Sequence, residues 1–142
     1  MTNEFKLGSK LEDDSYFVTD LELSQVRLIN NSDYSWLILV PRRNNIVEIT
    51  DLSLDEYRKL CDEIRLISQV IQQIFKPDKL NIATIGNMVR QLHVHIIARF
   101  KDDKLFPKPV WGCEFTPYSS QAFEHKISLI IETIKNYKKS SL

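Results

Sequence analysis

The stretch Arg90-Gln91-Leu92-His93-Val94-His95-Ile96-Ile97-Ala98-Arg99 contains two of the three histidines of the chain, separated by one apolar residue. Apolar and polar side chains alternate through most of it, and a period of two predicts a β-strand with two different faces. One face carries Leu92, Val94 and Ile96, and the other carries Gln91, His93, His95 and Arg99, with Ile97 among them. Alternate strand residues lie roughly 6–7 Å apart, so the two imidazoles can share one phosphate-sized ligand or one metal ion.

The chain before this strand predicts the rest of a sheet and a long helix. Short apolar or alternating runs predict strands at residues 16–18, 25–29, 36–40 and 80–85. The first three are joined by loops too short for a parallel crossover, so they are expected to be antiparallel neighbours. After them, Ser53 and Glu56 form a Ser-x-x-Glu capping box at the start of a helix that ends before Pro77.

The chain after the histidine strand predicts an irregular loop and a second helix. The loop contains Pro107, Pro109 and Pro117, and Ser119 or Ser120 caps the helix. The helix has an apolar stripe formed by Phe123, Ile127, Ile130, Ile131 and Ile134.

Together these elements predict an α+β fold in a single domain, residues 1–142. The core is expected at about 15–100, and a C-terminal loop and helix at 101–138. The architecture is a five-stranded, mainly antiparallel sheet with one long helix and a C-terminal helix. A chain of 142 residues, of which 43% are hydrophobic, can fill the core of one such domain.

Composition excludes several function classes. Basic and acidic residues number 19 each, so the formal net charge is zero, whereas proteins that grip nucleic acid usually carry a basic surplus. Cys61 and Cys113 match no metal or redox spacing and are predicted to be free thiols in the cytoplasm. No apolar run approaches the ~20 residues of a membrane helix, and no signal peptide is recognisable. We therefore expect neither a nucleic-acid nor a membrane partner.

The segment from Gln91 to Ile97 resembles the signature of the histidine-triad (HIT) family of nucleotide hydrolases and transferases. That signature is His-x-His-x-His followed by two apolar residues, with x apolar. His93 and His95 match its second and third histidines, all four apolar positions match, and Gln91 stands in place of the first histidine. The resemblance covers roughly residues 16–99 with a looser tail, and it implies the HIT-like fold.

The resemblance also implies catalytic roles. His93 matches the nucleophile, whose ring nitrogen attacks the α-phosphorus to give a nucleotidyl-histidine that water then hydrolyses. His95 is expected to donate hydrogen bonds to the phosphate oxygens. Gln91 can place an amide near the same site, but it cannot act as an acid or base because an amide does not titrate.

Two asparagines match positions at which the family binds its nucleotide. Asn30, with Asn31 as the alternative, matches the residue that holds the ribose hydroxyls, and Asn87 matches a residue that contacts phosphate or leaving group. Many members carry a Gly-His pair before the third strand, where this chain has Ser35-Trp36. Each asparagine can also be a plain turn residue.

The remaining polar and aromatic candidates receive weaker interpretations. Six basic residues lie close in sequence to the edges of the predicted site, where some of them can attract polyphosphate: Arg42, Arg43, Arg90, Arg99, Lys101 and Lys104. Trp36 and Trp111 are interpreted as core or interface residues, and His125 as a surface residue of the last helix.

The resemblance predicts an enzyme acting on the α-phosphate of a nucleoside polyphosphate or phosphoramidate, with a dinucleoside polyphosphate such as diadenosine tetraphosphate as the first candidate. No cofactor is required, although a divalent cation such as Mg²⁺ can accompany the nucleotide. One alternative is a non-catalytic nucleotide-binding member. Another is a metal-dependent hydrolase using His93 and His95, which needs a third ligand that no nearby Asp, Glu or Cys supplies at an obvious spacing.

A symmetric homodimer is the predicted assembly. A five-stranded sheet with one helix-covered face leaves apolar area and a strand edge to protect. Family members pair through the long helix and a strand, so the same contact is expected here.

Overall fold

The computed structural model describes residues 4–140. They form three helices, α1 (Ser9–Asp13), α2 (Leu54–Phe75) and α3 (Ser120–Ser140), and a 3₁₀ turn at Ile49–Asp51. The five strands are β1 (Ser15–Asp20), β2 (Ser24–Ile29), β3 (Ser35–Pro41), β4 (Lys79–Ala83) and β5 (Val94–Arg99).

The strands form one sheet in the order β1-β2-β3-β5-β4, and every neighbouring pair is antiparallel. The first three strands follow each other through short turns. Helix α2 connects β3 to β4, and β5 then enters between β3 and β4, which places the histidine strand next to the centre of the sheet. This architecture confirms the predicted fold class.

Helix α2 begins where the capping box places it. The Ser53 side chain accepts a hydrogen bond from the Glu56 backbone N–H (3.1 Å), and the Glu56 carboxylate accepts one from Ser53 N–H (3.0 Å). The helix ends at Phe75, followed by Lys76 in the left-handed conformation, φ 50°. None of the helices within residues 4–140 is both long and apolar enough to cross a membrane.

The two faces of the sheet carry separate cores. On one face, the predicted apolar set Leu92, Val94 and Ile96 packs with residues of α2 and α3 such as Ile67 and Ile130, as expected. The other face is also covered, although the sequence analysis expected a sheet with only one covered face. Residues of the N-terminal segment and of the loop after β5 cover it, in a second core that contains Leu11, Ile29, Tyr34, Trp36, Ile38, Val40, Ile97 and Val110.

The histidine strand is shorter than predicted. Strand β5 begins at Val94, which pairs with Leu39, so Gln91 and His93 precede the ladder. The backbone N–H of Leu92 donates instead to the carbonyl of Ile46, at 2.9 Å. Strand β4 likewise ends at Ala83, opposite His95, and not at residue 85. Apolar and polar side chains continue to alternate beyond the residues that pair with a neighbouring strand. A prediction from alternation alone therefore makes these strands too long.

Glu63 joins α2 to the turn between β1 and β2. Its side chain is buried, and its carboxylate accepts hydrogen bonds from the backbone N–H groups of Leu23 (2.9 Å) and Ser24 (3.1 Å). A buried N–H without a partner costs about 1–3 kcal/mol. The carboxylate therefore holds the helix and the turn in one arrangement.

Replacing Glu63 with Ala is expected to lower the free energy of unfolding by about 2–3 kcal/mol, because two buried N–H groups lose their acceptor. Urea denaturation measures the change. The neighbouring Asp62 is exposed, and Asp62→Ala is expected to change stability by less than about 0.5 kcal/mol. Equal losses in the two variants would contradict this role of Glu63.

Candidate functional site

His93 and His95 lie side by side, with ring centroids 4.8 Å apart and the rings inclined at 70°. His93 directly precedes β5, and His95 is its second residue, between Ile38 of β3 and Ala83 of β4. Both side chains are buried, with 6% and 9% of their surface exposed. The sheet therefore holds two imidazoles in contact at one point on its second face.

The hydrogen bond of His93 fixes its tautomer. Its Nδ1 lies 2.7 Å from the carbonyl oxygen of Gln91. A carbonyl can only accept, so Nδ1 carries the proton and donates. In the neutral ring, Nε2 then has a free lone pair, which is the form that a nucleophile requires.

The hydrogen bond of His95 fixes the opposite tautomer. The indole Nε1–H of Trp36 donates to His95 Nδ1 at 3.0 Å. An indole nitrogen is only a donor, so His95 Nδ1 must accept and the proton resides on Nε2. His93 therefore has a free lone pair on Nε2, and His95 has a free N–H donor on the same atom.

Burial keeps both rings neutral. Desolvation lowers the pKa of His93, partly offset by its hydrogen bond to the Gln91 carbonyl, which raises it. Desolvation, with repulsion from His93, lowers the pKa of His95 to about 3. At pH 7 both rings are therefore neutral, one with a free lone pair and the other with a free N–H.

The histidines open into a cleft of about 410 Å³. The loop at residues 85–89 forms one side and the loop after β5 the other. The lining residues are Trp36, Ile85, Gly86, Asn87, Met88, Val89, His93, His95, Val110, Trp111, Gly112 and Phe115. The volume is within the range of small-molecule sites.

The side chain of Gln91 is directed away from this cleft. Its Oε1 accepts from the backbone N–H of Gly8 (2.8 Å), and its Nε2 donates to the carbonyl of Lys6 (3.0 Å). A Cβ on Gly8 would stand 3.3 Å from that oxygen. Gln91 thus ties the N-terminal segment to the histidine motif. Its amide does not lie in the cleft beside the histidines, where the sequence analysis had placed it.

Of the predicted asparagines, only Asn87 lines the cleft. Asn30 accepts from the backbone N–H of Tyr118 (2.9 Å), and the buried Asn31 accepts from Asp33 N–H (3.2 Å) and Thr116 N–H (3.4 Å). Both therefore fasten the loop before α3 to the end of β2. In this arrangement their amide oxygens are occupied and do not face the histidines.

Sequence reasoning missed two aromatic contributions. Trp36 was interpreted as a core or interface residue, and it is buried, but it also orients His95. Trp111 and Phe115 line the cleft, and the Trp111 ring lies 4.8 Å from the His95 ring. The available signal for Trp36 was the Ser35-Trp36 pair, which stands where the family resemblance leads one to expect Gly-His. Trp111 lies in an irregular loop that gave none.

Most of the basic residues predicted to attract polyphosphate are paired elsewhere. Arg99 is buried against Asp103 (2.8 Å), Arg43 contacts Glu56 (2.6 Å), and Lys104 contacts Asp33 (3.0 Å). Arg42 donates to the backbone carbonyl of Glu22 at 3.0 Å. None of the six candidates is among the described lining residues of the cleft.

A metal ion would find one free ligand atom here. His93 offers the lone pair of its Nε2, whereas His95 carries a proton on Nε2 and its Nδ1 accepts from Trp36. Among residues 4–140, no three His, Cys, Asp or Glu side chains are grouped so that they could hold a metal ion. The donor set suits an oxyanion better than a metal, which typically needs three or four protein ligands.

Comparisons with known proteins agree with the motif. The family model described as the HIT domain matches residues 10–102, more than half of the chain. A histidine triad protein from Bradyrhizobium japonicum is 42% identical, with a TM-score of 0.90 over 92% of this chain and 98% of its own. Another from Marinobacter aquaeolei VT8 is 32% identical, with a TM-score of 0.91 over 94% and 98%.

A curated relative carries an activity in its name. The bis(5'-adenosyl)-triphosphatase of Saccharomyces cerevisiae is 31% identical over 70 residues, 46% of this chain. The match spans 34% of the length of that relative, so this chain corresponds to about a third of it.

The buried neutral histidines predict a pH dependence of stability. The unfolded chain takes up a proton at His95 below about pH 6.5, whereas the folded chain does so only near pH 3. The contribution of His95 to the free energy of unfolding is therefore fully present above pH 6.5. It is lost as the pH falls, by at most about 1.4 kcal/mol per pH unit. Denaturant titrations at pH values between 6.5 and 4 should show that the free energy of unfolding falls less steeply with decreasing pH in His95→Asn than in wild type. A His95→Asn variant whose free energy of unfolding falls with pH as steeply as that of wild type would contradict the assignment.

The position of Gln91 outside the cleft predicts that it is tolerant of substitution. Gln91→His is expected to change kcat/KM on nucleotide substrates by no more than about tenfold, and Gln91→Ala to lower it modestly. Losing an orienting hydrogen bond costs on the order of 1–2 kcal/mol, or about one decade in rate. Arg90→Ala, at the exposed neighbour, is the matched control. An inactive wild type that gains turnover on Gln91→His would contradict the prediction.

Proposed function

The chain belongs to the HIT domain family, and from this membership and the paired histidines we propose that it is an enzyme acting at the α-phosphate of a nucleotide. One observation carries the proposal. Two neutral imidazoles lie in contact with their Nδ1 atoms engaged, so that a lone pair on His93 Nε2 and an N–H on His95 Nε2 are both free. This combination supplies a nucleophile and a group that can stabilise charge on the phosphate oxygens.

In the proposed reaction, the Nε2 lone pair of His93 attacks the α-phosphorus and forms a P–N bond. The bond to the leaving group breaks, and the leaving group departs with the electron pair. The His95 Nε2–H donates to a phosphate oxygen on which charge accumulates. Water then attacks the same phosphorus and gives up a proton to the solvent. The P–N bond breaks, its electron pair returns to His93 Nε2, and the nucleoside monophosphate leaves.

The substrate we propose is a nucleoside polyphosphate or phosphoramidate, and the first candidate is a dinucleoside polyphosphate such as diadenosine tetraphosphate. The name of the yeast relative, a bis(5'-adenosyl)-triphosphatase, supports a dinucleoside substrate. No cofactor is needed for the attack by His93, and a divalent cation such as Mg²⁺ would be carried by the phosphates of the substrate. A cytoplasmic location and a homodimeric assembly are parts of the same proposal.

A non-catalytic nucleotide-binding protein is the second candidate. It is favoured by the side chain of Gln91, which is committed to Lys6 and Gly8 and supplies no third polar group beside the histidines. A steady-state assay separates the two candidates, because a binding protein would retain nucleotide tightly without releasing a monophosphate.

Replacing His93 with Gly is expected to lower kcat by several orders of magnitude while nucleotide binding changes little, because the nucleophile is lost and the cleft remains. Rapid quenching of wild type with α-³²P-labelled diadenosine tetraphosphate or an adenosine phosphoramidate should trap an acid-labile adduct on the protein. The adduct should be absent from His93→Gly.

His125→Gln, on the exposed surface of α3, is the control and should keep both the adduct and the rate. Full turnover by His93→Gly would contradict the mechanism. Absence of turnover in wild type with every nucleotide tested would assign the chain to the binding class.

A further inference from the structure

The structure contains a second cavity, separate from the cleft beside the histidines. Its volume is about 320 Å³, which is within the range of small-molecule sites. We term it the second cavity, and its lining consists of residues 33–34 and 104–105 with Cys113, Glu114 and Thr116. None of these is among the described lining residues of the cleft, so a molecule bound here would not contact the histidines.

The hydroxyl of Tyr34 is the main evidence for a ligand in the second cavity. The residue is 5% exposed, and its hydroxyl oxygen is buried without a hydrogen-bond partner among residues 4–140. Buried polar groups are nearly always paired, because an unpaired one loses its bonds to water and gains none in return. Since Tyr34 lines the cavity, a molecule bound there can supply the missing partner.

The second cavity offers two uncharged hydrogen-bond donors. Burial raises the pKa of Tyr34, and Asp103 and Cys113 raise it further. Burial also raises the pKa of the Cys113 thiol, so both groups keep their protons at pH 7. The Asn31 Nδ2 donates to the Cys113 sulfur at 3.7 Å, which leaves the S–H available to another acceptor. A ligand in this cavity is therefore expected to accept hydrogen bonds.

The charges around the second cavity disfavour an ionic ligand. Two carboxylates, Asp33 and Glu114, line it with one ammonium, Lys104, which is already paired with Asp33 at 3.0 Å. An anion would therefore be repelled. A cation at the Tyr34 hydroxyl would lie near the guanidinium of Arg99, whose Cζ is 5.7 Å from the centre of the Tyr34 ring. An uncharged molecule avoids both repulsions and the cost of burying a charge.

One loop connects the second cavity with the cleft. Trp111 lines the cleft, and its ring lies 4.8 Å from that of His95. Two residues further along the chain, Cys113 lines the second cavity, and so does Thr116. A molecule held between this loop and Tyr34 would restrict the segment that carries Trp111. Occupancy of the cavity can thereby affect the cleft without any contact between the two ligands.

We propose that the second cavity is an effector site for a small uncharged molecule, such as an aliphatic amide, whose carbonyl oxygen accepts a hydrogen bond from Tyr34. Bound there, the molecule holds the loop and with it the position of Trp111 beside His95. This site is distinct from the pair of histidines in the proposed function, and binding to it does not depend on turnover.

The experiment uses three probes with the same branched carbon skeleton and different charges at pH 7. Isobutyramide is uncharged, isobutyrate is an anion and isobutylamine is a cation. Each is titrated into ¹⁵N-labelled wild type and its Tyr34→Phe and Tyr57→Phe variants. Dissociation constants are fitted to the NMR shifts of the backbone N–H groups of Cys113 and Thr116, and the indole N–H of Trp111 reports on the cleft. Tyr57→Phe is the matched control, because it removes the same hydroxyl from a ring of α2 that is 39% exposed.

Isobutyramide is expected to bind wild type and Tyr57→Phe equally and to shift both the loop signals and the Trp111 indole N–H. Tyr34→Phe should weaken this binding roughly fivefold, in line with the loss of one hydrogen bond. Isobutyrate and isobutylamine should bind wild type at least about tenfold more weakly than the amide. Without a probe, Tyr34→Phe should melt no lower than wild type, because the hydroxyl that it removes has no partner among the described residues.

Equal affinity of wild type and Tyr34→Phe for isobutyramide would overturn the inference, because the probe would then bind elsewhere. Absence of binding by isobutyramide would also overturn it. Binding of either charged probe as tightly as the amide would refute the ligand class. A lower melting temperature of Tyr34→Phe, with Tyr57→Phe unchanged, would show that the hydroxyl is already paired. Shifted loop signals with an unmoved Trp111 indole N–H would refute the effector role.

Discussion

The site depends on one constraint: each of two adjacent imidazoles has its Nδ1 engaged by a partner that allows only one protonation state. The Gln91 carbonyl requires a proton on Nδ1 of His93, and the Trp36 indole N–H excludes one from Nδ1 of His95. Without these partners, two neutral rings 4.8 Å apart could exchange tautomers freely. With them, the Nε2 of His93 has a free lone pair and the Nε2 of His95 carries a proton that it can donate. Burial completes the arrangement because it keeps both rings uncharged at pH 7.

A buried ion pair organises the loop that closes over this site. Arg99, at the end of β5, is 1% exposed and donates to both carboxylate oxygens of Asp103, to Asn81 and to the carbonyl of Lys108. The same carboxylate accepts backbone N–H groups of the loop, and these bonds together with Arg99 hold the pKa of Asp103 well below its usual range. The loop can therefore cover the second face of the sheet and still present Trp111 beside His95.

The sequence was sufficient for the fold and for the pairing of His93 with His95 on one face because both are expressed in local patterns. Strand alternation, the Ser53 capping box and the motif around His93 are all readable within about ten residues. The contacts that complete the site are not. The partners of Gln91 are more than 80 residues away in the chain. Asn30 and Asn31 accept from Tyr118 and Thr116, which lie in the irregular loop before α3. No periodicity marks such distant pairs, so the sequence could not show that these amides bind the protein itself.

Gln91 shows how the departure from three histidines is accommodated. An imidazole at this position would present one donor and one acceptor on a rigid ring, whereas the primary amide places both on one planar group at the end of a flexible stem. That geometry matches the Lys6 carbonyl and the Gly8 N–H, which are separated by a single residue. The backbone carbonyl of the same residue orients His93. Fixing the side chain of Gln91 to the N-terminal segment therefore also fixes the carbonyl that orients His93, so the amide at this position supplies rigidity behind the two histidines.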